Sequence, residues 1–148
     1  MATIEATVAA RTPVWFWIVS AVSLLWNAFG AFDFTMTNMR DPAYLAQFPP
    51  EMMDFIDEFP LWITAAWALG VWSAVAGSIL LLARSRWAVA AFALSLLGLA
   101  ATTFYQMGAN VPASMSSPGM VAMNVVIWAI AIFLLFFSIR FSRAGVLR

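Results

Sequence analysis

The chain has 148 residues, of which 64% are hydrophobic and only 9% charged, whereas a soluble domain carries about a quarter charged residues to cover its surface. Net charge is zero, with seven arginines, no lysine and seven acids, so no basic face exists to draw nucleic acid. The lack of cysteine and histidine removes disulfides, thiolate nucleophiles, the commonest general base and the usual transition-metal ligands.

The opening segment, MATIEATVAARTP, is too polar for the core of a signal peptide. The apolar run behind it is too long for one, so the first helix is expected to be retained. Four spans of about 20 residues with short connections use up nearly the whole length. Residues 1–148 are therefore expected to form a single transmembrane domain. Its class is an all-α membrane protein, an antiparallel four-transmembrane-helix bundle with a short amphipathic interfacial helix in the first outer loop.

The first span is placed at about 13–37, opened by Pro13 and carrying one charge, Asp33. Proline suits a helix start because its missing N–H has no partner there in any case. The loop RDPAYLAQFPPEMMDFIDEFP follows, and a connection of that length is expected to have a role of its own. Within it, Pro49-Pro50 opens a short helix at about 50–58, with Met52, Phe55 and Ile56 on one face and Asp54, Asp57 and Glu58 turned to water. Such a segment either lies on the membrane surface or acts as a lid over a cavity mouth. The second span, about 60–83, again begins at proline and stops at Arg84-Ser85-Arg86. The third, about 87–107, follows at once, so these two form a tight hairpin. The charge-free connection GANVPASMSSPG leads to the fourth span, about 119–140, which stops at Arg140.

Arg11, Arg84, Arg86, Arg140, Arg143 and Arg148 fall on one side of this path, and Arg40 alone falls on the other with five of the acids. Positively charged loops stay in the cytoplasm. Both termini are therefore expected on the cytoplasmic side of a bacterial inner membrane, with the acidic loop outward.

Polar side chains inside a bilayer are costly, so they mark bundle interiors or wet cavities. On the first helix Ser20, Ser23, Asn27, Gly30, Asp33 and Thr37 fall within a sector of roughly 140°. On the second, Ala66, Gly70, Ala74 and Gly77 form a small-residue face that reads as a packing seam. The third carries Ser95, Gly98, Thr102, Tyr105 and Gln106 on one face, and the fourth has Asn124 with Trp128 one turn below. Most of these lie toward the outer side. If the faces converge, they make an outward-facing polar pocket with aromatic walls, and its candidate ligand-binding residues are Trp26, Asn27, Asp33, Trp67, Tyr105, Gln106, Asn124 and Trp128, with Phe29 beside them. Asp33 itself has two readings. It either serves as a structural clasp, paired with Arg40 or bonded by Asn27 or Gln106, or binds a cation, a proton or a ligand hydroxyl. No serine has a base near it in the sequence and no acid pair is placed for proton transfer, so the chain is not expected to be an enzyme. Nothing in it implies a cofactor, and the acidic loop lacks the glycine-shaped ligand loop of a calcium site.

The segments LWNAFGAFDF, FPLWITAAWALGVWS and RSRWAVAAFALSLLG carry a resemblance to small uncharacterised four-transmembrane-helix proteobacterial inner-membrane proteins, some of which bear the label sugar transporter. The likeness covers about two-thirds of the chain and implies a four-helix layout. Small multidrug transporters are similar in size, but that family keeps its essential acid mid-membrane in the first helix, whereas Asp33 stands near the outer end. Two functions are expected. One is binding or transport of a small neutral solute or an amphiphile such as a lipid or quinone, through the outward pocket and as a homodimer if anything is moved across. The other is a non-catalytic accessory or assembly subunit of a larger membrane complex.

Overall fold

A computed structural model describes residues 11–148; residues 1–10, and with them most of the polar opening segment, lie outside the described part. The described residues contain no strand. They form α1 (Val14–Asn38), α2 (Pro42–Leu45), α3 (Pro50–Asp57), α4 (Leu61–Leu82), α5 (Trp87–Gly108), a 3-10 turn (Ala113–Ser116) and α6 (Pro118–Arg143). Of these, α1, α4, α5 and α6 are long and apolar enough to cross a membrane. The shortest, at 22 residues, are about 33 Å long at 1.5 Å per residue, enough for the roughly 30 Å hydrocarbon layer.

The expected spans match these helices to within a residue or two at most ends. Pro13 and Pro60 stand just outside their helices in extended conformation, while Pro42, Pro50 and Pro118 occupy the first helical position. The fourth helix does not stop at Arg140 but continues to Arg143. An isolated arginine does not break a helix, and here the stop comes from backbone geometry. Ala144 caps α6, Gly145 takes a left-handed φ of 72°, and the amides of Gly145 and Val146 bond back to Ser142 O (3.1 Å) and Phe141 O (3.0 Å). This pair of bonds is the Schellman ending, which satisfies carbonyls that the helix leaves open. The same ending closes α1 and α4, but with Arg40 (φ 57°) and Arg84 (φ 55°) where glycine is usual. Its bonds there are Asp41 N to Met36 O and Ser85 N to Leu80 O.

The helices pack in the order α1, α4, α5, α6, with the closest association between α4 and α5. Between those two, Gly98 lies against the backbone of Ala66 and Gly70, and Gly77 against the ring of Phe92. The expected seam on α4 is thus divided: Ala66, Gly70 and Gly77 serve α5, whereas the Ala74 carbonyl accepts a bond from α1. Small residues matter here because lipid is as apolar as leucine, so helices in a membrane associate through close van der Waals approach.

The buried core lies at the arginine-bearing end. Phe16 of α1, Leu81 of α4, Ala88 and Phe92 of α5, and Leu134, Phe137 and Phe141 of α6 gather there with Val146 and Leu147 of the tail. Phe16 stacks on Phe137 at 5.7 Å, and Trp15 meets Phe141 edge-on at 5.0 Å. The tail is held by a two-way backbone exchange, Arg148 N to Arg84 O (2.7 Å) and Arg86 N to Arg148 O (2.9 Å). Arg84 Nε adds a bond to Val146 O at 3.1 Å. At the opposite end α6 is far less covered, and Gly119 to Val126 are all exposed.

Candidate functional site

The polar stripe of α1 divides into two separate clusters. The first is a ladder between α1 and α4. Asn27 Nδ2 donates to Ser78 Oγ (2.9 Å) and lies 3.3 Å from Ala74 O. Ser23 Oγ reaches Ser78 Oγ at 3.1 Å and Ser20 O at 2.8 Å, and Ser20 Oγ donates to Phe16 O. Ser78 donates in turn to Ala74 O at 3.1 Å. Ser20, Ser23 and Ser78 are buried, so the ladder meets its own hydrogen-bonding needs and ties the two helices; such interhelical bonds are worth about 0.6 kcal/mol each on average in membranes. Ser78 was not among the residues singled out from the sequence. The available signal was a serine four residues after Ala74, on the face next to the glycine seam.

The second cluster belongs to the loop that follows α1. Asp33 Oδ1 accepts a 2.5 Å bond from Tyr44 Oη, whose own amide is held by the Asp41 side chain at 2.7 Å. Tyr44 also meets Phe32 and Phe48 edge-on. Neither Arg40 nor Asn27 nor Gln106, the partners expected for Asp33, is bonded to it. Arg40 points instead to Asp57 on α3. The reason is local: the left-handed turn at Arg40 folds α2 back over the end of α1, which brings Tyr44 rather than Arg40 to the carboxylate. The Arg40–Asp57 pair is about half exposed on both sides and contributes under about 1 kcal/mol. The α3 helix follows its expected pattern, with Phe55 buried, Asp54, Asp57 and Glu58 exposed, and the helix resting against the 3-10 turn.

Tyr44 lies outside the long apolar helices, and its phenol is pushed up from 10.0 to about 12, first by burial and then by the Asp33 carboxylate at its hydroxyl. Because the folded value is above the unfolded one, the protonated phenol favours the fold. That contribution is complete below about pH 10 and is lost as pH rises toward 12. Tyrosinate absorbance is thus expected to show a late-titrating phase, abolished by Tyr44→Phe and moved to lower pH by Asp33→Asn. A late phase that persists in Tyr44→Phe would refute the assignment.

The remaining expected site residues have partners outside the candidate set or none among the described bonds. Trp67 is half-buried and meets Phe34 edge-on at 5.0 Å. Tyr105 lies between Phe59 (5.6 Å) and Trp62 (5.9 Å). Trp128 Nε1 bonds Thr103 Oγ1 at 3.3 Å. Trp26 and Gln106 are half-buried, Phe29 is exposed, and Asn124 is exposed on α6. Among the described residues, no hydrogen bond or ring contact joins any two of the eight candidates. Two grooves stand out on the surface, and both are apolar. One of about 330 Å³ is lined by Trp15, Phe133, Phe136, Phe137 and Arg140, and one of about 380 Å³ by α5 residues with Trp128 and Leu135. Among the described residues, no three acids gather as a metal-ligand set.

Protein-family models, curated proteins and solved structures were each compared with this chain, and none matches. The four long apolar helices by themselves define the class, a multi-pass helical membrane protein.

Proposed function

We propose that the chain is a non-catalytic subunit that acts by association within the membrane, using the exposed outer half of α6 as a docking face for another membrane-spanning helix. In this reading the four helices span a bacterial inner membrane as an antiparallel bundle, with the arginine-bearing end and both termini cytoplasmic in accord with the positive-inside tendency. Asn124 carries the proposal. It lies six positions into the 26-residue α6, about 10 Å from the helix midpoint and so inside a hydrocarbon half-layer of roughly 15 Å. It is exposed among Val121, Met123, Val125 and Val126. An amide left in hydrocarbon without a partner costs on the order of 2 kcal/mol or more, and a facing helix with a polar group removes that cost.

The absence of cysteine makes the test clean. Val121→Cys, one turn from Asn124 and itself exposed, is expected to cross-link in native membranes to a second chain, whereas Leu25→Cys, on the exposed side of α1, is expected to give no defined product. No product from position 121 would refute the docking face. The product's mass separates a second copy from a different partner.

One observation favours the pocket reading instead. The ring contacts that join α1 to α6 all lie at the arginine end, through Trp15, Phe16, Phe137 and Phe141. An outer-half opening between these helices would admit a small neutral solute or an amphiphile from the side. On that reading Gln106→Ala and Asp33→Asn reduce thermal stabilisation by the ligand. On the docking reading neither substitution affects cross-linking at position 121.

A further inference from the structure

The arginine-bearing end has a feature that association through the outer half of α6 does not use. Arg11, Arg84, Arg86, Arg140, Arg143 and Arg148 lie at this end, linked through the tail's bonds to Arg84 and Arg86 and the rings joining α1 to α6. Every acid among the described residues falls between Asp33 and Glu58, toward the other end. Among the described residues no acidic side chain therefore stands at the cationic end, and Arg140 forms no ion pair. Beside it lies the groove of about 330 Å³ between α1 and α6, with Trp15, Phe133, Phe136 and Phe137 as its walls and Arg140 at its polar edge. Trp15, Phe133 and Phe136 are 47%, 50% and 67% exposed.

We infer that this groove binds one anionic phospholipid of the cytoplasmic leaflet, with an acyl chain along the aromatic walls and the phosphate on the Arg140 guanidinium. The inference rests on the reading that the helices span a bilayer with this end inside. The chemistry is specific at both ends of the ligand. A guanidinium presents a planar fork of donors that matches phosphate oxygens two at a time. An apolar trough open to the bilayer accepts a hydrocarbon chain at no cost in buried polar groups. Basic pockets between helices at the cytoplasmic face are suited to anionic headgroups because surface potential and direct contact act together. Arg143 also lies in the last turn of α6 but does not line the groove, which makes it the natural control.

The test uses the full chain in nanodiscs containing equal parts phosphatidylglycerol and phosphatidylcholine, with retained lipid counted by native mass spectrometry. Wild type is expected to retain phosphatidylglycerol roughly fivefold over phosphatidylcholine, the ratio that one close arginine contact supports. Arg140→Gln is expected to abolish most of that preference, and Arg143→Gln to leave it. Should Arg140→Gln fail to fold, Phe133→Ala replaces it, with total retained lipid as the readout. Absence of preference in wild type overturns the proposal, as does an equal loss in Arg143→Gln, which would mean diffuse attraction. Equal binding of glycerol phosphate without acyl chains would overturn it too. A chain that does not enter nanodiscs at all refutes the spanning reading and this proposal with it, whereas a chain that enters and shows no preference refutes this proposal alone.

Discussion

Gly98→Ala is expected to destabilise the protein by about 3 kcal/mol or more, measured as a lowered thermal midpoint in mild detergent. A methyl group at Gly98 would stand 2.5 Å from Ala66 O, 2.6 Å from Gly70 N and 2.7 Å from Gly70 Cα. All three are main-chain atoms of α4, so no side chain can rotate aside. Overpacking typically costs about 1–3 kcal/mol where neighbours can adjust, and here two helices must separate along the pair with the closest association in the fold. Gly70→Ala is the informative comparison. Its added methyl meets α5 backbone at 3.5 Å and 3.6 Å, ordinary contact distances, so a change within about 0.5 kcal/mol is expected. Two glycines that face each other across one interface should thus differ sharply. Equal stability of the two variants would show that α4 and α5 do not approach as described.

Leu147→Ala is expected to cost about 2–4 kcal/mol, the range for truncating a buried leucine where the site collapses only partly. Leu147 is 4% exposed and Val146 2%, and they belong to the same core as Leu81, Phe92 and Phe141. The loss should also appear locally. The amide of Arg86 is held by Arg148 O, so its hydrogen exchange should accelerate in Leu147→Ala relative to amides in the middle of α4 and α5. Unchanged exchange at Arg86 together with unchanged stability would mean that the tail does not seal this end.

The two substitutions probe features with very different visibility in the amino-acid order. Gly98 was already on a face of small and polar residues, so a close approach was foreseeable even though its partner was not. Nothing in AGVLR marks a segment that returns to the turn between α4 and α5. That turn is held by long-range backbone bonds whose partners are more than 60 positions apart. Asp33 shows a similar division. That it would need a partner followed from its place in an apolar helix, yet the partner was decided by the left-handed turn at Arg40, a conformation that arginine rarely adopts and that composition does not announce. Ser78 carries no such mark on its own helix, where small apolar residues surround it, and its importance comes only from Asn27 and Ser23 lying opposite.

What the sequence by itself determined is the set of long apolar helices and, apart from the C-terminal end of α6, where they begin and stop. Desolvation adds residue by residue along a chain, and prolines and glycine-like turns act locally, so 22 to 26 residues of apolar helix can be read without knowing any neighbour. Tertiary structure alone decided which faces meet: the ladder of Ser23, Asn27 and Ser78, the divided seam of α4, the Asp33–Tyr44 bond, and the bare N-terminal end of α6. In lipid no hydrophobic gradient sorts one apolar face from another, so pairing depends on sub-ångström fit and on a few interhelical hydrogen bonds. The helical period marks the faces that carry them, the small residues of α4 and the polar stripe of α1, but not the partner of either.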